Sequence, residues 1–592
     1  MNGSTALAAV LVDELVRCGV REVVLAPGSR SAPLAYAVRG AERAGRLRLH
    51  VRVDERSAGF LALGLAKLSR RPAVVITTSG TAVANLHPAV LEAHHAQVPL
   101  IVLSADRPEE LRGTGANQTT RQPGIFGPAV RWEHDLHNSW GGLEHPERVL
   151  GEVRTASRAW RTTVDRAWAA ATGSLGTEPG PAHLNVAFRD PLAPDLPVPE
   201  ELPAELAGRP GGAAWTVVPA AGATEDPTVS VPEAQHGEPS ADVSTLMVLG
   251  DLPHTALARQ ALAAAVANGW PVVAEPFGAG DRSTVLPHGS LLLTATDWLE
   301  RHLPERVLVV GRCTLNRETG ALLRRLGLRV EAVTPAGSWP DPSHAVARVH
   351  RWEALTDGTL TGQDPDWAST WRGAGASLSA AVERAVDASW PSGPALAATV
   401  LGALDDEDIL VLGSSNAARD VDRAGVAGRS VLVTSSRGLA GIDGTNATAV
   451  GIALAAPERR VVSLVGDLTF LHDVNGLLIG PDEPRPDLSI VVVNDDGGGI
   501  FSTLEYGEPD RAEDFERLFG TPTGADLGAL ATAYGCAHER VETPAALREA
   551  LNRRATGIRV IEVPVPRSGH RGVRAALATL SIYAEHRGLR AP

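Results

Sequence analysis

Short, almost wholly apolar runs that end in Gly, Ser, Asn or Asp recur along the chain. Between them lie segments whose apolar residues return at helical spacing. REVVLAPG (21–28), PAVVITTSG (72–80) and VPLIVLSAD (98–106) predict buried strands that run into turns, with helices over 5–18 and 57–68. The series returns near the C-terminus in DILVLGSS (408–415), SVLVTSS (430–436), RRVVSLVGD (459–467) and LSIVVVNDD (488–496). STLMVLGD (244–251), WPVVAEP (270–276) and RVLVVGR (306–312) make a smaller third set. Continuous apolar strands separated by helices are the pattern of a parallel sheet covered on both faces. The expected fold class is therefore α/β, with three doubly wound parallel-sheet domains over 1–195, 196–375 and 376–592. Residues 203–241, rich in Ala, Pro, Gly and Glu, predict an exposed linker or loose insertion in the middle domain, and a second break is expected near 360–375.

Composition narrows the function. The chain has 592 residues, too many for one core, and is 44% hydrophobic and 21% charged, as globular proteins are. A net charge of −14 argues against general nucleic-acid binding but leaves room for local basic pockets. Cys18, Cys313 and Cys536 are far apart and form no CxxC pair, which points to a reducing cytoplasm rather than a disulfide framework or zinc site. The N-terminal stretch carries acids and no basic lead, so it predicts an amphipathic helix and not a signal peptide. No run of about 18 apolar residues predicts a membrane span.

Candidate chemistry lies at the strand ends. Gly466-Asp467 closes one apolar strand, and Asn494-Asp495-Asp496-Gly497 closes the next, 27 residues on. In parallel sheets such ends form ligand crevices. Hard oxygens there suit Mg²⁺ (or Mn²⁺) bridging a diphosphate, and the Gly497-Gly498 run lets backbone approach phosphate. Glu55 follows a strand and opens a helix of small residues, so it is either an ordinary helix N-terminal carboxylate or a positioned acid. Arg30, Arg107, Arg419 and Arg437 stand at or near probable strand ends, where guanidinium groups can clamp carboxylates. His87, His94 and His95 have no nucleophile or metal partner in the pattern and are assigned to structure. No GxGxxG fingerprint with a ribose-binding acid favours a nicotinamide cofactor.

The paired elements GDLTFLHD (466–473) and VVVNDDGGGIF (491–501) resemble the diphosphate motif of thiamine-diphosphate (ThDP) enzymes. The chain departs from it twice: Leu468 replaces a second Gly, and Asn494-Asp495 replaces Asn-Asn. Two metal registers follow, Asp495 with the Gly497 carbonyl or Asn494 with the Asp496 carbonyl, each with Asp467. The first is preferred because its carbonyl belongs to a Gly just before the helix. The resemblance implies that Glu55 protonates the aminopyrimidine ring and that Ser79, Gly80 and Thr81 contact its edge. It also implies that Gly441, Ile442, Gly466, Asp467, Leu468, Gly497, Gly498 and Ile500 hold the cofactor.

A finer resemblance is to the 2-succinyl-5-enolpyruvyl-6-hydroxy-3-cyclohexene-1-carboxylate (SEPHCHC) synthase family of menaquinone biosynthesis. APGSRSAPL (26–34), VDERSAGFLALGLAK (53–67), TTSGTAVANLHPAV (77–90), ADRPEELRGTGANQT (105–119), SSRGLAGIDG (435–444) and VVNDDGGGIF (492–501) carry it. That family joins 2-oxoglutarate to isochorismate with loss of CO₂. It implies a substrate pocket lined by Ser29, Arg30, Arg107, Asn117, Gln118, Ser415, Arg419, Arg437, Ile500 and Phe501, with Asn117 and Gln118 also near the reacting centre. It implies a homodimer or homotetramer, with ThDP held between the pyrimidine domain of one subunit and the diphosphate domain of another. Arg282 and Arg317 in the middle domain are expected to reach the site, to bind a regulatory anion, or to do neither. The rival readings are another ThDP enzyme, such as an acetolactate synthase, and a binding or regulatory protein that keeps the fold.

Overall fold

The computed structural model describes residues 1–137, 146–194, 202–218, 243–278, 280, 282–335, 337–362, 364–425 and 428–581, with side chains left aside for 146–152. These form two compact units. The first comprises Met1–Pro227, Asp443–Ala456 and Asp473–Pro486, and the second Thr228–Ile442, Pro457–His472 and Asp487–Pro592.

The first unit holds strands β1 (Glu22–Leu25), β2 (Arg48–Val51), β3 (Ala73–Thr77), β4 (Leu100–Asp106), β5 (Trp132–His137) and β6 (Pro181–Ala187). They lie in the order β2-β1-β3-β4-β6-β5, all parallel. β3 and β4 are buried along their whole length, as their unbroken apolar sequences require when helices cover both faces.

The helix Glu55–Ser69 follows β2. Asp54 caps it, its carboxylate accepting the Ser57 backbone N–H at 3.2 Å. The small-residue face of this helix packs against the helix Thr445–Ala455. The contact is close because Gly64 faces Gly451: a Cβ on Gly64 would meet the Thr448 carbonyl oxygen at 2.3 Å, and one on Gly451 would meet the Leu61 carbonyl oxygen at 2.4 Å. Gly64→Val is expected to force the helices apart and cost about 1–3 kcal/mol, the usual penalty for overpacking. Thermal unfolding checks this, and an unchanged midpoint would show that the crossing tolerates added volume.

Of the stretch expected to be a loose linker, residues up to 218 are described, and they are tied to the first unit. Leu206 is buried in its core. Its carbonyl accepts from the fully buried Arg161 at 2.7 Å, the Trp215 N–H donates to Glu14 at 2.6 Å, and the Thr216 N–H donates to Asp165 at 2.8 Å. One apolar anchor and a few buried carboxylates hold a segment whose composition alone reads as loose. Residues 219–242 lie outside the described set.

The second unit contains two sheets. One comprises β7 (Thr245–Leu249), β8 (Val272–Ala274), β9 (Arg306–Val310), β10 (Arg329–Thr334) and β11 (Val346–Arg351), in the order β11-β10-β9-β7-β8. The other comprises β12 (Ile409–Leu412), β13 (Leu432–Ser435), β14 (Val461–Gly466), β15 (Leu488–Asn494), β16 (Ala537–Arg540) and β17 (Ile558–Pro564), in the order β13-β12-β14-β15-β17-β16. Its order repeats that of the first sheet strand for strand, so the two outer sheets share one topology. Within the stretch 360–375, where a break is expected, the helix Pro365–Asp387 begins, capped by Asp364. Among the described residues no helix is long and apolar enough to cross a membrane.

Candidate active site

Both outer sheets reverse strand order beside their first strand, and ligands of open α/β sheets bind at such switch points, beyond the carboxyl ends of the strands. In the first unit these ends carry Ser29 and Arg30 after β1, Ser79–Thr81 after β3 and Arg107 after β4. Ser79 Oγ donates to the Gln118 carbonyl at 2.9 Å and accepts from Arg107, while Gln118 Nε2 donates to the Ser79 carbonyl at 2.8 Å. Gly80, at φ 84°, donates its N–H to Gln122 Oε1 at 2.9 Å. The Ser79 turn and the Gln118 loop are thus tied together, with Asn117 and Thr81 exposed beside them. Arg30 donates to the Phe188 carbonyl at 3.0 Å. Arg107 has its pKa lowered, first by burial and next by the neighbouring positive charge of Arg30. Two guanidinium groups therefore face the same space. His94 is structural, packed against Arg131 with Nδ1 3.0 Å from the Ala129 carbonyl, and His87 lies edge-on to Phe126.

Glu55 sits in the first helical turn, half-buried, with Asn85 Nδ2 3.5 Å from its Oε2. Asp54 already performs the capping, so Glu55 is released from that ordinary role.

In the second unit the carboxyl end of β14 presents Asp467, and that of β15 presents Asn494 and Asp495. Asp467 Oδ2 accepts the Gly497 N–H at 2.7 Å. Its pKa is pushed up to about 7, first by burial and second by the adjacent Asp495 carboxylate. Two carboxylates thus converge on one point, an arrangement that a divalent cation relieves. The Asn494 amide donates to Glu562 Oε1 at 2.8 Å, and its Oδ1 accepts the Asp496 N–H at 3.2 Å. Gly497 has φ 141°, and a Cβ there would lie 2.0 Å from the Gly520 carbonyl oxygen, so this loop requires Gly. The donor set of two acidic oxygens beside a glycine backbone fits Mg²⁺ with a diphosphate. A cavity of about 410 Å³ opens at these strand ends, with Asp467, Asn494 and Asp496 in its wall. A more apolar one of about 460 Å³, lined by residues such as Val12, Tyr36 and Ala41, holds none of the expected site residues.

Beyond β12, Ser415 takes φ 74° and opens the helix Asn416–Ala424, which carries Arg419. Arg419 donates to the Ser415 carbonyl at 2.8 Å, and its pKa is lowered by burial first and then by Arg437 and Arg423. Arg437, after β13, is buried; it donates to Thr314 Oγ1 at 2.6 Å and lies over the Phe277 ring at 5.4 Å. Glu275 supports it indirectly by accepting the Thr314 N–H at 2.7 Å. Gly441 and Ile442 follow on the same loop, half-buried. Phe501 leads into an aromatic group, 5.8 Å from Phe519. Arg282 is buried, donates to the Phe277 carbonyl at 2.6 Å and feels the charge of Asp422, whereas Arg317 is exposed, 3.7 Å from Glu505.

Sequence reasoning did not single out Gln122, Thr314, Glu275, Arg423, His570 or Arg574. Gln122 stands close to the quoted Asn117-Gln118 motif and was within reach. Arg423 stands one helical turn from Arg419, and the remaining four act on partners far away in sequence and leave no spacing signal.

The arrangement defines a ThDP enzyme. Residues 5–125 match the family "Thiamine pyrophosphate enzyme, N-terminal TPP binding domain", and residues 422–563 match "Thiamine pyrophosphate enzyme, C-terminal TPP binding domain". The chain is 47% identical to the 2-succinyl-5-enolpyruvyl-6-hydroxy-3-cyclohexene-1-carboxylate synthase of Saccharopolyspora erythraea over 581 residues, which covers 98% of each. The like-named proteins of Rhodococcus erythropolis and Nocardia farcinica are 46% and 47% identical, over 98% of this chain and 100% of theirs. The chain belongs to the SEPHCHC synthase family.

Proposed function

We propose that this enzyme decarboxylates 2-oxoglutarate and adds the remaining succinyl unit to isochorismate in a 1,4-addition, giving SEPHCHC and CO₂ in menaquinone biosynthesis. The observation that carries the substrate choice is the pair of like-charged clusters, Arg30 with Arg107 and Arg419 with Arg437. Burial first and Arg30 next lower the Arg107 pKa, partly offset by Asp106 and Asp190, and burial first and Arg437 next lower that of Arg419, so further carboxylates are favoured at both places. Two dicarboxylates supply them at both clusters, whereas pyruvate, the substrate of an acetolactate synthase, brings a single carboxylate.

Asp467, Asp495 and the Gly497 carbonyl would hold Mg²⁺ or Mn²⁺. The diphosphate would lie along Gly466, Leu468, Gly498 and Ile500, with Gly441 and Ile442 against the cofactor body. Bound ThDP supplies an electron sink for the pair left when CO₂ departs. Glu55 holds a proton at the aminopyrimidine ring, whose edge meets Ser79, Gly80 and Thr81. Asn117 and Gln118 hydrogen-bond the reacting oxygen atoms, and Ser29, Ser415 and Phe501 complete the substrate wall. The domain limits near 195 and 375 remain part of this proposal. The working unit is a homo-oligomer, a homodimer at least, in the cytoplasm, consistent with Cys18, Cys313 and Cys536 being thiols rather than disulfides.

Arg419→Ala tests the substrate choice most cleanly, because the Arg419 side chain donates to the Ser415 carbonyl at the start of its own helix. Losing a charge-assisted contact costs about 2–5 kcal/mol, so kcat/KM should fall roughly 30- to 5,000-fold with ThDP binding retained. Arg437→Ala should do the same and also loosen Thr314. Separate measurements for 2-oxoglutarate and isochorismate assign each arginine, and wild-type values for both substrates in both variants would refute the dicarboxylate reading.

A further inference from the structure

The helix His570–Thr579, near the end of the described chain, sends three side chains to the loop that follows β15. His570 is buried, and its Nε2 lies 2.6 Å from Asp495 Oδ2. Arg571 donates to the carbonyls of Ser502 at 3.1 Å and Leu504 at 2.8 Å and to Glu508 at 2.7 Å. Arg574, one helical turn beyond His570, donates to Thr503 Oγ1 and to Asn416 Oδ1, each at 2.5 Å. Asn416 opens the helix that carries Arg419 and adjoins Ser415.

Each contact has a consequence. A carboxylate that ligates a metal needs its second oxygen fixed, and partners of this kind typically govern metal affinity. Gly499 leaves the necessary space: a Cβ there would lie 1.9 Å from Asp495 Oδ2 and 2.9 Å from His570 Nε2. The loop from 497 to 507 has no strand or long helix of its own, only single turns at Phe501–Thr503 and Glu505–Gly507. Its position therefore depends on outside contacts, and beside the Asp467 anchor at Gly497 this helix supplies donors through Arg571 and Arg574.

We infer that the helix His570–Thr579 is a positioning clamp: His570 orients Asp495 toward the cation, and Arg574 locks the Ile500–Thr503 turn against the Ser415–Arg419 helix start, setting the width of the substrate pocket. This rests on the metal and substrate sites proposed above. None of the three residues needs to touch substrate or cofactor.

The two ends of the clamp should separate in experiment. In His570→Ala, Mg²⁺-dependent ThDP binding, followed by calorimetry on the full chain, should weaken about 10- to 100-fold. His570→Gln, which keeps a donor near the Nε2 position, should recover most of that loss. Arg574→Ala should leave ThDP and Mg²⁺ affinity within about twofold of wild type and raise KM for a dicarboxylate substrate more than it lowers kcat, as loss of uniform substrate binding does. Thermal melting accompanies each variant, and His570→Gln keeps the test open if His570→Ala does not fold. Wild-type cofactor affinity in His570→Ala, equal losses in the Ala and Gln variants, or an unchanged KM in Arg574→Ala would each overturn the clamp. Asp467→Ala, run in parallel, separates the outcomes: if it too binds ThDP and Mg²⁺ normally, the metal site itself is misplaced.

Discussion

Glu55→Gln is expected to fold like the parent chain and to lose about 10²–10⁴-fold in turnover, the usual contribution of a positioned acid or base. The fold should survive because the helix start does not depend on Glu55. Asp54 caps the helix, accepts from Ser57 and receives Asn475 Nδ2 at 2.9 Å, whereas Glu55 has a long contact with Asn85. Gln keeps the shape and the hydrogen-bonding capacity but cannot hold and release the ring proton. Steady-state turnover with saturating ThDP and Mg²⁺, read beside an unchanged melting curve, checks this. Near-normal turnover would return Glu55 to the role of an ordinary first-turn carboxylate.

Asp467→Ala should abolish Mg²⁺-supported ThDP binding. Its carboxylate is one of two acidic groups crowded together after β14 and β15, and it also anchors the loop through the Gly497 N–H. Removing it takes away half the anionic charge opposite the cation and frees the turn that approaches the diphosphate. Of the two neighbouring candidates, Asp495→Ala is expected to lose far more metal affinity than Asn494→Ala. Asp495 shares space with Asp467, whereas Asn494 Oδ1, the atom that would ligate, accepts the Asp496 N–H at 3.2 Å. Calorimetric titration of the three variants decides it, and the reverse ranking of the last two would move the metal to the other register.

The strands that position the site were legible because they are unbroken apolar runs buried on both faces, such as AVVIT in β3 and LSIVVVN in β15. Five of the strands not read from the pattern fail for two physical reasons. β5, β11 and β16 are sheet edges and carry exposed polar residues, so WEHDLH, VARVHR and AHER show no apolar run. β6 is interior but contains His183 and Asn185, which a buried network makes tolerable: Ser104 lies 2.7 Å from His183, and Gln122 donates to Asn185 at 2.8 Å. β10 likewise hides Glu331 against His350. The site followed the same rule. Asp467, Asp495, Ser79 and the arginines stand next to strand ends, where local pattern is informative. Their supports come from elsewhere: Thr314 for Arg437 and His570 for Asp495. Such pairings depend on tertiary packing and leave no periodicity to read.

The central claim is that this chain joins two dicarboxylates with loss of CO₂. Incubation of the full chain with ThDP, Mg²⁺, 2-oxoglutarate and isochorismate, followed by mass spectrometry, tests it most directly. The expected result is a product with the mass of SEPHCHC that requires both substrates and is not formed when pyruvate replaces 2-oxoglutarate. Turnover of pyruvate to an acetolactate-type product, with 2-oxoglutarate left intact, would contradict the account.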